Sequence, residues 1–147
     1  MADTSYIDNT TVITADSMND FNRLHYTILG DPADAAAVNN KLPLAQNSQS
    51  AAYTTVLADA NKHILHPTAD NNPRTFTIDS NANVAYPLGT CLTFVNEINV
   101  LTIAITSDTL ALAGTASTGS RTLAAMGIAT ALKKTTTSWI ISGVGLS

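Results

Sequence analysis

The chain has 147 residues, enough for one domain with a real core and an arm beside it. Charged residues make up 12%, about half the usual ~25%, and the net charge of −4 with no basic patch beyond Lys133 and Lys134 argues against a nucleic-acid partner. No apolar run reaches the roughly 20 residues that a membrane-spanning helix needs, so no membrane partner is expected, and the lone Cys91 excludes an internal disulfide.

The acids are Asp apart from Glu97, and Asp favours turns and caps over helix interiors. A Thr-rich, Glu-poor chain of this kind suits a β-structure that covers part of its surface with partners. Residues 1–13 are polar, with Tyr6, Ile7, Val12 and Ile13 as spaced apolar anchors, and carry no basic or apolar region of a signal peptide. A short helix is expected near 15–29: Thr14 suits the N-cap, Asp16 the first turn and Gly30 the C-terminal stop. Met18, Phe21, His25 and Ile28 recur at helical spacing with Leu24 beside them, a stripe that either packs on the chain's own domain or serves self-association. From Asp31 to Ser50 the composition is that of a linker, so the expected division is an arm over 1–50 and a β-domain over 51–147.

In that second part strands are predicted at Tyr53–Leu57, His63–His66 and Arg74–Ile78, with polar turns at Asn71 to Pro73 and Asp79 to Asn83. Val84–Gly89 reads as an extended edge segment, because Pro87 cannot donate to a central ladder. The stretch Cys91–Thr106 carries the strongest signal: Leu101, Ile103 and Ile105 alternate strictly against Thr102, Ala104 and Thr106. The polar run Asn96 to Asn99 between its halves reads as a hairpin connection. Further strands are predicted at Thr109–Leu112, Arg121–Ala124, Ile128–Leu132 and Trp139–Ser142, with loops at Gly114–Ser120 and Lys133–Thr137. Short strands punctuated by turns every ~8–12 residues predict an all-β, jelly-roll-like antiparallel sandwich behind an N-terminal arm with one short helix.

Chemistry is sparse. His63 and His66, followed by Asp70, have a metal-like spacing, but residues three apart on a strand point to opposite faces and nothing completes a zinc set. One histidine from each of three chains on a symmetry axis is the variant that would bind. Cys91 opens an apolar strand, where a small buried thiol is the common case. Gly114–Ser120 has the glycines of a phosphate loop without its lysine or its βα unit. Trp139 and Tyr86 read as core anchors or as a carbohydrate platform. The acids are dispersed, so neither an enzyme nor a cofactor is expected.

Residues 51–147 resemble small virion proteins of tailed bacteriophages. The likeness rests on His63-Ile-Leu-His-Pro67, Arg74-Thr-Phe-Thr-Ile78, Val84-Ala-Tyr-Pro87 and Gly89-Thr-Cys-Leu-Thr-Phe-Val95. It continues through Thr102-Ile-Ala-Ile-Thr106, Leu112-Ala-Gly114, Thr118-Gly-Ser-Arg-Thr-Leu123, Gly127-Ile-Ala-Thr-Ala-Leu132 and Trp139-Ile-Ile-Ser-Gly143. In the arm, Val12-Ile-Thr-Ala-Asp-Ser-Met-Asn-Asp20 is similar to segments near the start of tail-fibre and other virion proteins.

The resemblance implies a capsid decoration (cement) protein: a homotrimer on the outer capsid surface that binds the major capsid protein, made in the bacterial host cytoplasm. Its alternative, which the short length disfavours, is a module of a tail fibre or tail tip involved in host attachment. A soluble carbohydrate-binding module is the third class. The residues assigned to the capsid or subunit interface are Tyr6, Ile7, Val12, Ile13, Phe21 and Leu24.

Overall fold

Short alternating segments ended by Asn, Asp and Gly turns form strands in the part of the chain that the computed structural model describes, residues 44–147. They are β1 (Gln46–Ser48), β2 (Tyr53–Thr54), β3 (His63–His66), β4 (Arg74–Ile78), β5 (Cys91–Asn96), β6 (Leu101–Ile105), β7 (Thr109–Leu112), β8 (Arg121–Thr135) and β9 (Ser138–Leu146). A 3-10 turn at Leu57–Asp59 ends what alternation predicts as the rest of β2. The all-β class holds. The helix near 15–29 lies outside the described residues, and Gln46–Ser48, read as linker, belongs to the sheet as β1.

The strand order departs from a jelly roll. β1, β3 and β5 pair in parallel, and so do β2, β4 and β6. Each pass of the chain therefore lays one strand on each of two faces, and successive passes stack in a β-solenoid-like arrangement. β5 and β6 do not form a hairpin with each other. The polar run between them turns a corner instead: Asn99 takes a φ of 57°, its side chain accepts from the Val100 N–H at 2.8 Å, and Asn96 Nδ2 donates to the Asn99 carbonyl at 3.0 Å. The chain thus leaves one face for the other rather than doubling back. Period-two alternation is the same in parallel and antiparallel ladders, so it does not reveal which of the two happens.

The antiparallel part comes at the end of the stack. β8 runs against both halves of the last pass, Arg121–Leu123 against β6 and Gly127–Leu132 against β5. Between them it bends at Met126, where φ is 60°. The two strands predicted there are one bent strand that follows the corner. A two-residue turn, Thr136 and Thr137, returns the chain as β9, which pairs with β8 along one edge and in parallel with β7 along the other. Lys133–Thr135, read as loop, stay in the ladder. Gly143 lets the hairpin close, since a Cβ there would stand 2.2 Å from the Ile128 carbonyl oxygen. Val84–Gly89 forms no strand and serves as an irregular crossing, tied to β8 at its end where the Gly89 N–H donates to the Lys133 carbonyl at 2.9 Å.

Between the two faces lie Ile64, Leu92, Phe94, Leu110, Trp139 and Ile141 from one side and Phe76, Ile78, Leu101, Ile103 and Leu123 from the other, all buried. Each such side chain contributes about 1.5–3 kcal/mol of transfer free energy. The free edges are kept short or covered. β1 and β2 have three and two residues, and the Gly114–Ser120 loop folds back on β7 through an Ala111–Thr118 bridge.

Candidate contact surface

The register defines two outer surfaces with different chemistry. On the β2–β4–β6 side the outward positions align as Thr75–Thr102–Thr122 and Thr54–Thr77–Ala104. The C-terminal Ser147 exchanges backbone hydrogen bonds with Thr122 at 2.9 Å and extends the first row. This face is a threonine surface suited to water. On the β3–β5–β8–β9 side the rows are Leu65–Val95–Ile128–Val144, then His63–Thr93–Thr130–Ser142, then Cys91–Leu132–Ile140. Here Ile128, Leu132 and Val144 are 49%, 39% and 75% exposed. The hydroxyls of Thr93 and Thr130 meet at 3.0 Å in the middle of the patch and share one hydrogen bond.

Strand β8 places its residues against the usual order. Ala129 and Ala131 point into the core and are buried, while Ile128 and Leu132 point out. The inner volume in the middle of the sheet is already taken by large side chains such as Phe94 and Trp139, so small side chains fit at Ala129 and Ala131, whereas Leu123 and Lys133 point inward nearer the ends of β8. A slip of one residue would bury Ile128 and Leu132, but it would also turn Lys133 outward and lose its interior contacts. Lys133 Nζ donates to Asn81 Oδ1 at 2.6 Å and lies 5.5 Å from the Trp139 ring centre and 6.0 Å from that of Tyr86. The lysine pins β8 to the turn at Asn81 by a hydrogen bond and by cation–π attraction.

A second polar pin sits at the other end of β5. Asn96 Nδ2 donates to the carbonyls of Asn99 and Leu123, so its Oδ1 accepts from His66 Nδ1 at 2.7 Å. His66 Nε2 stands 3.4 Å from Asp70 Oδ2. Arg74 donates to both carboxylate oxygens, and Asn72 adds a third bond. The Arg74 guanidinium, helped by Asn72, holds the Asp70 carboxyl well below the usual carboxylate range. Asp79 is held low as well, chiefly by the Ser80 N–H and by Asn83. Burial pushes the Tyr86 phenol up to about 12. These groups tie corners and turns together, and all but the buried His66 Nε2 have hydrogen-bond partners inside the fold.

Of the residues singled out from the sequence, Tyr6, Ile7, Val12, Ile13, Phe21 and Leu24 lie outside the described residues. His63 and His66 do point to opposite faces: His63 Nδ1 stands 3.0 Å from the Leu44 carbonyl oxygen, and His66 is buried against Asn96. No group of three metal-ligating side chains gathers among the described residues. Cys91 is half-buried on the apolar outer face rather than inside, because its parity in β5 is that of Val95, not of Leu92 and Phe94. Trp139 and Tyr86 are both buried, packed edge to face with ring centres 5.5 Å apart, so neither is an open carbohydrate platform. Sequence reasoning missed the outer patch itself. Its signal, Ile128-x-x-x-Leu132 between alanines, has apolar residues at both parities. No known protein family, curated protein or solved structure matches the chain.

Proposed function

We propose that this chain is a structural protein of a bacteriophage virion that works by contact rather than by catalysis, as a homotrimer. Its placement in this reading is the outer capsid surface, where it binds the major capsid protein and holds neighbouring capsid subunits together. Many interfaces of roughly 1,600 Å² would add up through avidity to resist internal pressure. The observation that carries the reading is the apolar outer face of a rigid, charge-poor β-stack, with Ile128 and Val144 49% and 75% exposed. Such a face calls for a partner surface. The resemblance to virion proteins supplies the setting, and the spaced anchors Tyr6, Ile7, Val12, Ile13, Phe21 and Leu24 supply a segment for lacing across the capsid.

A second placement, a tail-fibre or tail-tip module involved in host attachment, is favoured by the strand order. Parallel passes that stack at one end and are closed by the β8–β9 hairpin at the other suit the tip of an elongated assembly. Quantifying the protein in purified particles decides between the two. A copy number comparable with that of the major capsid protein means decoration, a few copies mean a tail part, and absence from particles sinks both. Deleting residues 1–30 is expected to leave a folded β-domain that no longer binds its particle. Full binding by that truncation would remove the arm from the mechanism.

A further inference from the structure

Building on the homotrimer of the reading above, we infer that copies of this chain meet through the outer face of β3, β5, β8 and β9. Three observations carry this. The first is the contrast between the two outer faces, which share strand spacing, strand direction and one core. One is threonine and suits water, whereas the other presents Leu65, Val95, Ile128, Leu132, Ile140 and Val144.

The second is charge. The three rows of the apolar face contain no carboxylate, lysine or arginine. Their central hydroxyls, on Thr93 and Thr130, already bond to each other at 3.0 Å. The remaining polar groups of the rows are the His63 ring, 3.0 Å from the Leu44 carbonyl oxygen, and the Ser142 hydroxyl. The patch can therefore be covered without stranding a lysine, arginine or carboxylate, but only by a surface that is equally poor in charge, since a charged partner would lose hydration and gain nothing.

The third is size. Four strands at ~4.8 Å and three rows at ~6.6 Å make a flat patch of roughly 400 Å². That footprint, whose middle row is polar, lies within the ~300–600 Å² of the largest patch on a typical monomer, a size that is often functional, and is about half of one partner's share in a standard interface. Three copies can turn this same face towards one axis, so that the patch of each is covered by the patches of the other two. The patch then forms the dry centre of the contact, with its borders adding the remaining area.

The test uses the purified full chain. Light scattering and sedimentation should give the wild type the mass of three chains. The double substitution Ile128→Lys with Val144→Lys should give the mass of one chain with an unchanged far-ultraviolet β spectrum, while Thr75→Lys on the threonine face should leave the oligomer intact. Should the lysines disturb folding, Ile128→Thr with Val144→Thr keeps the test open, through an oligomer that dissociates at higher concentration than the wild type. Cys91, half-buried beside Leu132, is a built-in reporter: its labelling by a maleimide should be slow in the wild-type oligomer and faster in the dissociated variants. An oligomer that survives either double substitution overturns the inference, and so does a wild type that stays monomeric. A protected Cys91 in such a monomer would assign the face to the chain's own residues 1–43, and a reactive one to a different partner. Because the mass is measured without particles, its failure leaves the virion reading to be decided by copy number.

Discussion

The two outer surfaces of the stack are built on the same strands' geometry and face away from the same core, yet one reads Thr75–Thr102–Thr122 and the other Val95–Ile128–Val144. Folding the single chain accounts for the inward residues of both. It does not account for the difference between the outward ones, because a solvated β-face is stable with threonine and gains nothing from exposed isoleucine. The proposed contact, confined to one side, would account for that difference. A small β-domain with few charges also needs covered edges, and here the short β1 and β2 and the loop folded onto β7 provide that without using the apolar face.

The comparison can be broken from the inside first. Trp139 is fully buried under both faces, against Tyr86 and Lys133. Trp139→Ala is expected to cost about 3–5 kcal/mol, visible as a large fall in urea midpoint, and to abolish both surfaces together. A variant with an unchanged midpoint would mean that the core does not hold the faces. Next in size, Gly143→Ala forces a methyl group against the Ile128 carbonyl, 2.2 Å from the ideal Cβ position. It should prise β9 from β8 on the apolar side alone, at about 1–3 kcal/mol in thermal or urea unfolding.

A smaller, pH-dependent effect sharpens the picture at the corner pin. The folded Asp70 carboxyl titrates below its unfolded value of roughly 3.9. Its contribution to stability is thus fully present above that value and is lost as pH falls through the folded one. Urea midpoints should drop as the solution is acidified below about pH 4, and Asp70→Asn should lower the neutral-pH midpoint and flatten that drop. Asp79, also held low, leaves part of the slope in place. An acid limb identical to the wild type's would rule out the Arg74 pair as its source. The smallest effect is expected on the threonine face, where Thr75→Lys should move stability by no more than about 0.5 kcal/mol. At high pH, absorbance titration should show a phenol ionising near 12, and Tyr86→Phe should remove that step.

Much of the local structure was legible. β3, β4, β5, β6 and β7 fall where alternation places them, because period two with β-branched residues needs only neighbouring side chains to be read. The bend that makes Arg121–Thr135 one strand was not legible, since it depends on Met126 adopting a φ of 60° to follow a corner formed elsewhere. The buried cation Lys133 was read as loop, because a lysine between a strand and a run of threonines looks solvated until Asn81, Tyr86 and Trp139 are brought around it.

By itself, then, the amino-acid order determined the β class, the bounds of most strands, the scarcity of charge and the opposed directions of His63 and His66. These follow from side-chain period and composition, which are local. The tertiary structure alone decided that the halves of Cys91–Thr106 part at a corner instead of pairing, that the passes stack in parallel, and that Ile128 and Leu132 look outward while alanines look in. Those choices rest on which strand each edge finds and on how much volume Phe94 and Trp139 already fill, and both are set by residues distant along the chain.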